Sequence, residues 1–236
     1  MSTTTIILWI GTAIMTLGLL AFLGLTLKAP TENRSFFTIT SLIALIAATA
    51  YFAMVTGYGS IVVGGRTFYF ARYIDWVFTT PLLLLDLSLL ALPTLSGNWN
   101  RIGTMIAADV YMIITGLVAG LINSNFKYVW FIASAIAFIV VLYNLLGYLF
   151  PLAAARGGEV KQLFNTLSIL TAVLWICYPI VWLLGTEGIR LFSLPLEVGL
   201  FAILDILAKV GFGFVLLTSG VVLGREAARR RAIPAM

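Results

Sequence analysis

Apolar residues in this chain gather into runs of about 20, each long enough to cross a hydrocarbon core of roughly 30 Å as a helix. Seven such spans are predicted, near 6–27, 36–57, 68–91, 101–121, 128–150, 163–184 and 197–222. The segments between them are short and hold the turn-formers: "KAPTENR", "GYGSIVVGGRT", "PTLSGNWN", "NSNFK", "ARGGEV" and "GTEGIRLFSLP". The expected fold is an all-α membrane protein, one seven-helix transmembrane domain over residues 1–236, with room for a short β-hairpin between the second and third spans. The start "MSTTTIILWIG" lacks a basic n-region and its apolar run is span-length, which predicts a retained helix rather than a cleaved signal.

Composition agrees with the pattern. Mean hydropathy is +1.09 and only 10% of residues are charged, against about 25% in a soluble domain. The distribution of Lys and Arg predicts orientation. Loops and tail on the C-terminal side hold Lys28, Arg34, Arg101, Arg156, Lys161, Arg225, Arg229, Arg230 and Arg231, nine in all. The other side holds three, Arg66, Lys127 and Arg190, so the N-terminus is expected outside and the C-terminus in the cytoplasm. That topology accounts for the pI of about 9.5 without nucleic acid. The single cysteine, Cys177, has no intrachain partner and falls inside a span, where it is expected to pack. The chain has no histidine, which excludes a His-based metal site or proton relay.

The charges inside the spans change the picture. Each ionisable group at mid-bilayer costs roughly 2.5–3.5 kcal/mol and marks a functional site by default. Arg72, Asp75 and Asp86 fall in the third span, Asp109 in the fourth, and Asp205 and Lys209 in the seventh. Asp205 and Lys209, four apart, share a helix face. Desolvation suits a buried lysine to Schiff-base chemistry. Arg72 and Asp75 also share a face, and Asp86 returns to it eleven residues on, roughly 16 Å along the axis. One helix thus presents an arginine and two carboxylates in a row, the arrangement of a proton relay. Pro81 between them removes a backbone hydrogen bond. Trp76, Trp175, Tyr178 and Trp182 could wall an apolar cavity, with Pro179 where a helix can bend.

"ARYIDWVFTTPLLLLDL", "LDILAKVGFG" and "LWICYPIVWLLGTEG" resemble microbial rhodopsins, most closely the bacteriorhodopsin-type proton pumps, and the likeness runs span by span over essentially the whole chain. The resemblance implies all-trans retinal held as a protonated Schiff base on Lys209, with Asp75 and Asp205 as counterions and Asp75 the proton acceptor. It implies Asp86 as the donor, with Thr40 beside it, Arg72 as the switch toward the exit, and Glu187 with Glu197 as the release pair. Thr79 is expected beside Asp75, and Tyr51 and Tyr178 on Asp205. Thr80 and Asp109 are expected as a hydrogen-bonded pair by the ring. Trp76, Met112, Phe131, Phe138, Trp175, Tyr178 and Trp182 would contact the chromophore, together with Thr79, Thr80, Asp109 and Tyr51. Phe131 stands where the pumps usually have tryptophan, and Phe138 where methionine is common.

The function this implies is light-driven outward proton pumping: transport rather than enzyme catalysis, in the cell membrane of a prokaryote. Lipid would surround a homo-oligomer, a trimer as in relatives. The alternative is a sensory photoreceptor that signals through a membrane transducer; relatives of that class often lack a carboxylate at the position of Asp86. A halide pump would have a neutral residue at Asp75, and a cation channel fits a full donor and release set less well. A seven-span receptor or carrier without retinal would make the motif combination a coincidence.

Overall fold

A computed structural model of the chain describes residues 1–27 and 29–224. Lys28 and the basic tail residues Arg225, Arg229, Arg230 and Arg231, counted above for orientation, lie outside the described residues. Among the described residues, seven helices are long and apolar enough to cross a membrane: α1 (Thr3–Thr26), α2 (Thr31–Val55), α3 (Phe70–Ala91), α4 (Trp99–Leu121), α5 (Lys127–Arg156), α6 (Gly158–Leu184) and α7 (Leu194–Leu217). A helix closes all its backbone hydrogen bonds within one segment, which the hydrocarbon interior demands. The expected hairpin is present between α2 and α3. Strands β1 (Ile61–Val63) and β2 (Arg66–Phe68) pair antiparallel through the Gly64–Gly65 turn, where both glycines have positive φ.

Several boundaries differ from the apolar runs. The fifth span was expected to end near 150, but α5 continues through "PLAAAR" to Arg156 and stops at Gly157, whose φ is 68°. Its residues Tyr143–Leu149 form a wider π-helical turn directly before Pro151, which has no N–H to return to the preceding turn. The sixth span starts at Gly158 rather than 163. The seventh starts early, with Pro195 in its first turn, and ends at Leu217 rather than 222. The remaining stretch to Gly224 is turns, held to the start of α2 by the Asn33 amide, which donates to the Val221 and Val222 carbonyls at 3.3 and 2.9 Å.

Burial is uneven around the bundle. In α3 and α7, 61% of the apolar window is buried, against 22% in α5. The two best-buried helices are therefore those that carry most of the intramembrane charge. Glycines allow the close approaches. A methyl group on Gly213 of α7 would fall 2.5 Å from the Phe22 ring and 2.7 Å from Thr40.

Candidate functional site

Lys209 is 2% exposed and lies in a second π-helical turn, Ile206–Gly211, within α7. Its Nζ donates to Asp75 Oδ2 and, at 2.9 Å, to Asp205 Oδ1. Two carboxylates from different helices thus flank one ammonium, all three buried. Such a group is tolerable only as a paired, hydrogen-bonded set. The two carboxylates are held very differently. Asp205 Oδ1 also accepts from Trp76 Nε1 at 3.0 Å and from the Tyr178 hydroxyl at 3.0 Å, and Oδ2 accepts from Tyr51 at 2.8 Å. Asp75 Oδ1 is buried with no hydrogen-bond partner among the described residues.

From Lys209 a cavity opens, with almost wholly apolar walls. Trp76, Thr80, Met112, Phe131, Phe138, Trp175, Tyr178 and Trp182 line it. Phe131 stacks on Trp182 at 4.8 Å between ring centroids, and Trp76 meets Tyr178 edge-on at 5.1 Å. Three residues expected in the wall stand behind it. Tyr51 is turned to Asp205. Thr79 donates back to the Asp75 main-chain carbonyl at 2.9 Å, as a hydroxyl one helical turn on can do. Asp109 accepts from Thr80 at 2.7 Å, so the predicted pair exists but only Thr80 faces the space.

Small residues complete the wall that sequence reading passed over: Gly116, Ser134 and Ala135, with Ser134 donating to the Met112 carbonyl at 2.8 Å. For Ser134 and Ala135 the signal was their position three and four residues from Phe131 and from Phe138, on one face of α5; Gly116 of α4 had none. A long apolar polyene with a carbonyl end fits such a space: aromatic walls for its length and one amine at the end of the cavity.

Asp86 lies on the C-terminal side of this centre, fully buried, accepting from Thr40 at 3.1 Å; its Oδ1 has no partner. On the N-terminal side sits the second acidic pair. Glu187, in the loop between α6 and α7, and Glu197, in the first turns of α7, are both 1% exposed. Arg72 Nη1 lies 3.6 Å from Glu197 Oε1, and the Thr186 N–H donates to Glu197 Oε2 at 2.5 Å. Burial pushes the Glu187 carboxyl up to about 8; Glu197 beside it adds to the rise, and Arg72 and Arg66 oppose it. That rise favours the protonated form of the Glu187 carboxyl.

Lys127 was counted above only as a loop cation. Its ammonium donates to the Glu187 and Gly188 carbonyls at 2.6 and 2.8 Å and so fastens the loop that carries Glu187 to α5. Arg66 of the hairpin donates to the Gly120 carbonyl, tying β2 to the end of α4.

Comparison with known proteins decides the family. The profile described as Bacteriorhodopsin-like protein matches residues 2–223. The chain belongs to the bacteriorhodopsin-like family. Among curated members, it is 47% identical to the bacteriorhodopsin of Haloterrigena sp. (strain arg-4) over 227 residues, which cover 93% of this chain and 89% of that protein. The thermophilic rhodopsin from Rubrobacter xylanophilus superposes with a TM-score of 0.92 at 54% identity, covering 95% of this chain and 99% of that one. A rhodopsin of Coccomyxa subellipsoidea, described as a light-driven proton pump, gives 0.87 at 38% identity, covering 93% and 97%. This microbial rhodopsin is thus a multi-pass membrane protein whose family implies a retinal chromophore.

Proposed function

We propose that the chain is a light-driven proton pump that moves protons outward, with the N-terminus outside and all-trans retinal bound covalently to Lys209. The observation that carries this reading is one buried ammonium between two carboxylates, with separate carboxyl groups on both sides of it along the bundle. When bound to Lys209, retinal would supply light absorption and a light-driven change of shape beside its nitrogen.

The residues divide the remaining work. Asp205 has its oxygens occupied by Tyr51, Trp76, Tyr178 and Lys209, so it stays a fixed counterion. Asp75 has one free buried oxygen and takes the proton. Arg72 stands between this acceptor and the Glu187–Glu197 pair, which holds a proton ready at neutral pH. Asp86 resupplies the nitrogen from the cytoplasmic side. An apolar site with one hydroxyl partner holds a proton-carrying carboxyl at lower cost than an ion. No group in this path is asked to catalyse a substrate's conversion, so the reading is transport.

The deciding experiment follows pH in a suspension of cells that express the chain with added retinal. Acidification on illumination, abolished by a protonophore and by Asp75→Asn, is the expected result. A coloured, photoactive protein that leaves the pH unchanged would replace the pump with the sensory reading and its transducer partner.

A further inference from the structure

Arg72 is 2% exposed yet poorly satisfied. Its Nε and Nη1 have no hydrogen-bond partner among the described residues, and the Glu197 carboxylate oxygen is 3.6 Å away. Aromatic rings make the close contacts to the guanidinium. Its central carbon lies 4.2 Å from the centroid of the Phe201 ring and 5.7 Å from that of Tyr69, within the range at which a cation is attracted to a ring face.

Phe201 is placed to do more than support a cation. It sits in α7 one turn before Asp205, is 1% exposed, and lines the large cavity. Its ring lies 5.4 Å from the Trp76 ring and 6.0 Å from that of Tyr178. Both of those residues wall the same cavity and donate to Asp205. One side chain therefore touches the cavity wall through two aromatic rings and the exit-side cation through another contact. The groups around Arg72 are Tyr51 from α2, Tyr69 just before α3, Tyr73 from α3, Glu187 from the loop and Glu197 from α7.

We propose that Phe201 is a positioning residue that couples the cavity wall to the release pair: its ring sets where Arg72 stands, and a shift of Trp76 or Tyr178 against that ring resets the guanidinium relative to Glu187 and Glu197. The proposal rests on the pump reading, because only there does the position of Arg72 govern an exit step. Without the aromatic face, Arg72 has no anchor against the carboxylates and settles onto them. It then competes with the proton that Glu187 holds.

The test compares Phe201→Leu and the unbranched Phe201→Met with Phe201→Tyr, each in the full chain. The first readout, on retinal-free and retinal-loaded protein alike, is the arginine side-chain NMR signal absent from Arg72→Lys. It should show a ring-current displacement that Leu and Met remove and Tyr keeps. The second is the pH midpoint at which Glu187 loses its proton, followed through its carboxyl infrared band. That midpoint should fall by about one unit in Leu and Met, roughly a tenfold loss of proton affinity, and be restored by Tyr. An unchanged resonance and midpoint in Leu and Met would overturn the proposal, as would a Tyr variant that behaves like them. Absence of light-driven acidification by the unaltered protein would sink the pump reading instead, and is read separately.

Discussion

Glu187 is the residue whose environment makes the sharpest demand on pH. Its carboxyl is raised to about 8 from an ordinary value of 4.5, first by burial and then by Glu197. Below 8 it is protonated at rest and has a proton to give; above 8 it is empty. The early light-induced release seen by a pH-indicator dye after a flash should therefore shrink as pH rises through about 8, and Glu187→Gln should remove it at every pH. The same sign applies to folding: a carboxyl raised in the native state favours the fold below the unfolded value and loses that contribution as pH rises toward 8. Asp205 gives a second test at this scale. Tyr51→Phe strips the one donor from Oδ2 and leaves a buried oxygen unpaired, a change that costs about 1–3 kcal/mol. A drop in Tm of the purified protein, with colour retained, is the expected result. The charged residues themselves were legible in the chain, because a charge in an apolar run stands out. What the chain did not show is which of Trp76's two roles dominates: it was expected as wall, and it is also a donor to Asp205. Periodicity places a ring on a face but says nothing about where its N–H ends.

At the scale of the helix, the spacing between glycine and its neighbours makes testable demands. Gly213→Ala would drive a methyl group into Phe22 and into Thr40, the partner of Asp86. Overpacking of this kind costs about 1–3 kcal/mol, and here it should also slow the recovery of the resting state, measured as the decay of flash-induced absorbance. Gly24→Ala, with nothing within 4 Å, should change neither. All seven spans could be read from apolar runs, because the bilayer leaves a spanning segment few alternatives to a helix. The π-helical turns at Tyr143–Leu149 and Ile206–Gly211 could not. A turn that closes one residue later leaves the apolar run intact. The shared face of Asp205 and Lys209 was inferred from regular α spacing, and the ion pair is present although the chain widens between them. The Lys127 clamp was equally invisible, since its acceptors are main-chain carbonyls sixty residues away.

Across the whole molecule, function and membrane contact fall on different helices. The charges lie mainly in α3 and α7, deep in the bundle, while α5 is the least buried of the seven helices. Within α5 the division is repeated at finer grain. Phe131, Ser134, Ala135 and Phe138 face the cavity, and Ile132, Ile136, Ile139 and Tyr143 face outward, each 57% or more exposed. Ile132→Val together with Ile136→Val should leave the absorption maximum of the pigment and the rate of light-driven acidification unchanged. Phe138→Met, by contrast, should move the maximum, because it alters the wall against the chromophore. The two rows are offset by one residue and share no position. Selection for a different light climate and selection for a different lipid composition can therefore proceed on the same helix, in the same lineage, without one obstructing the other.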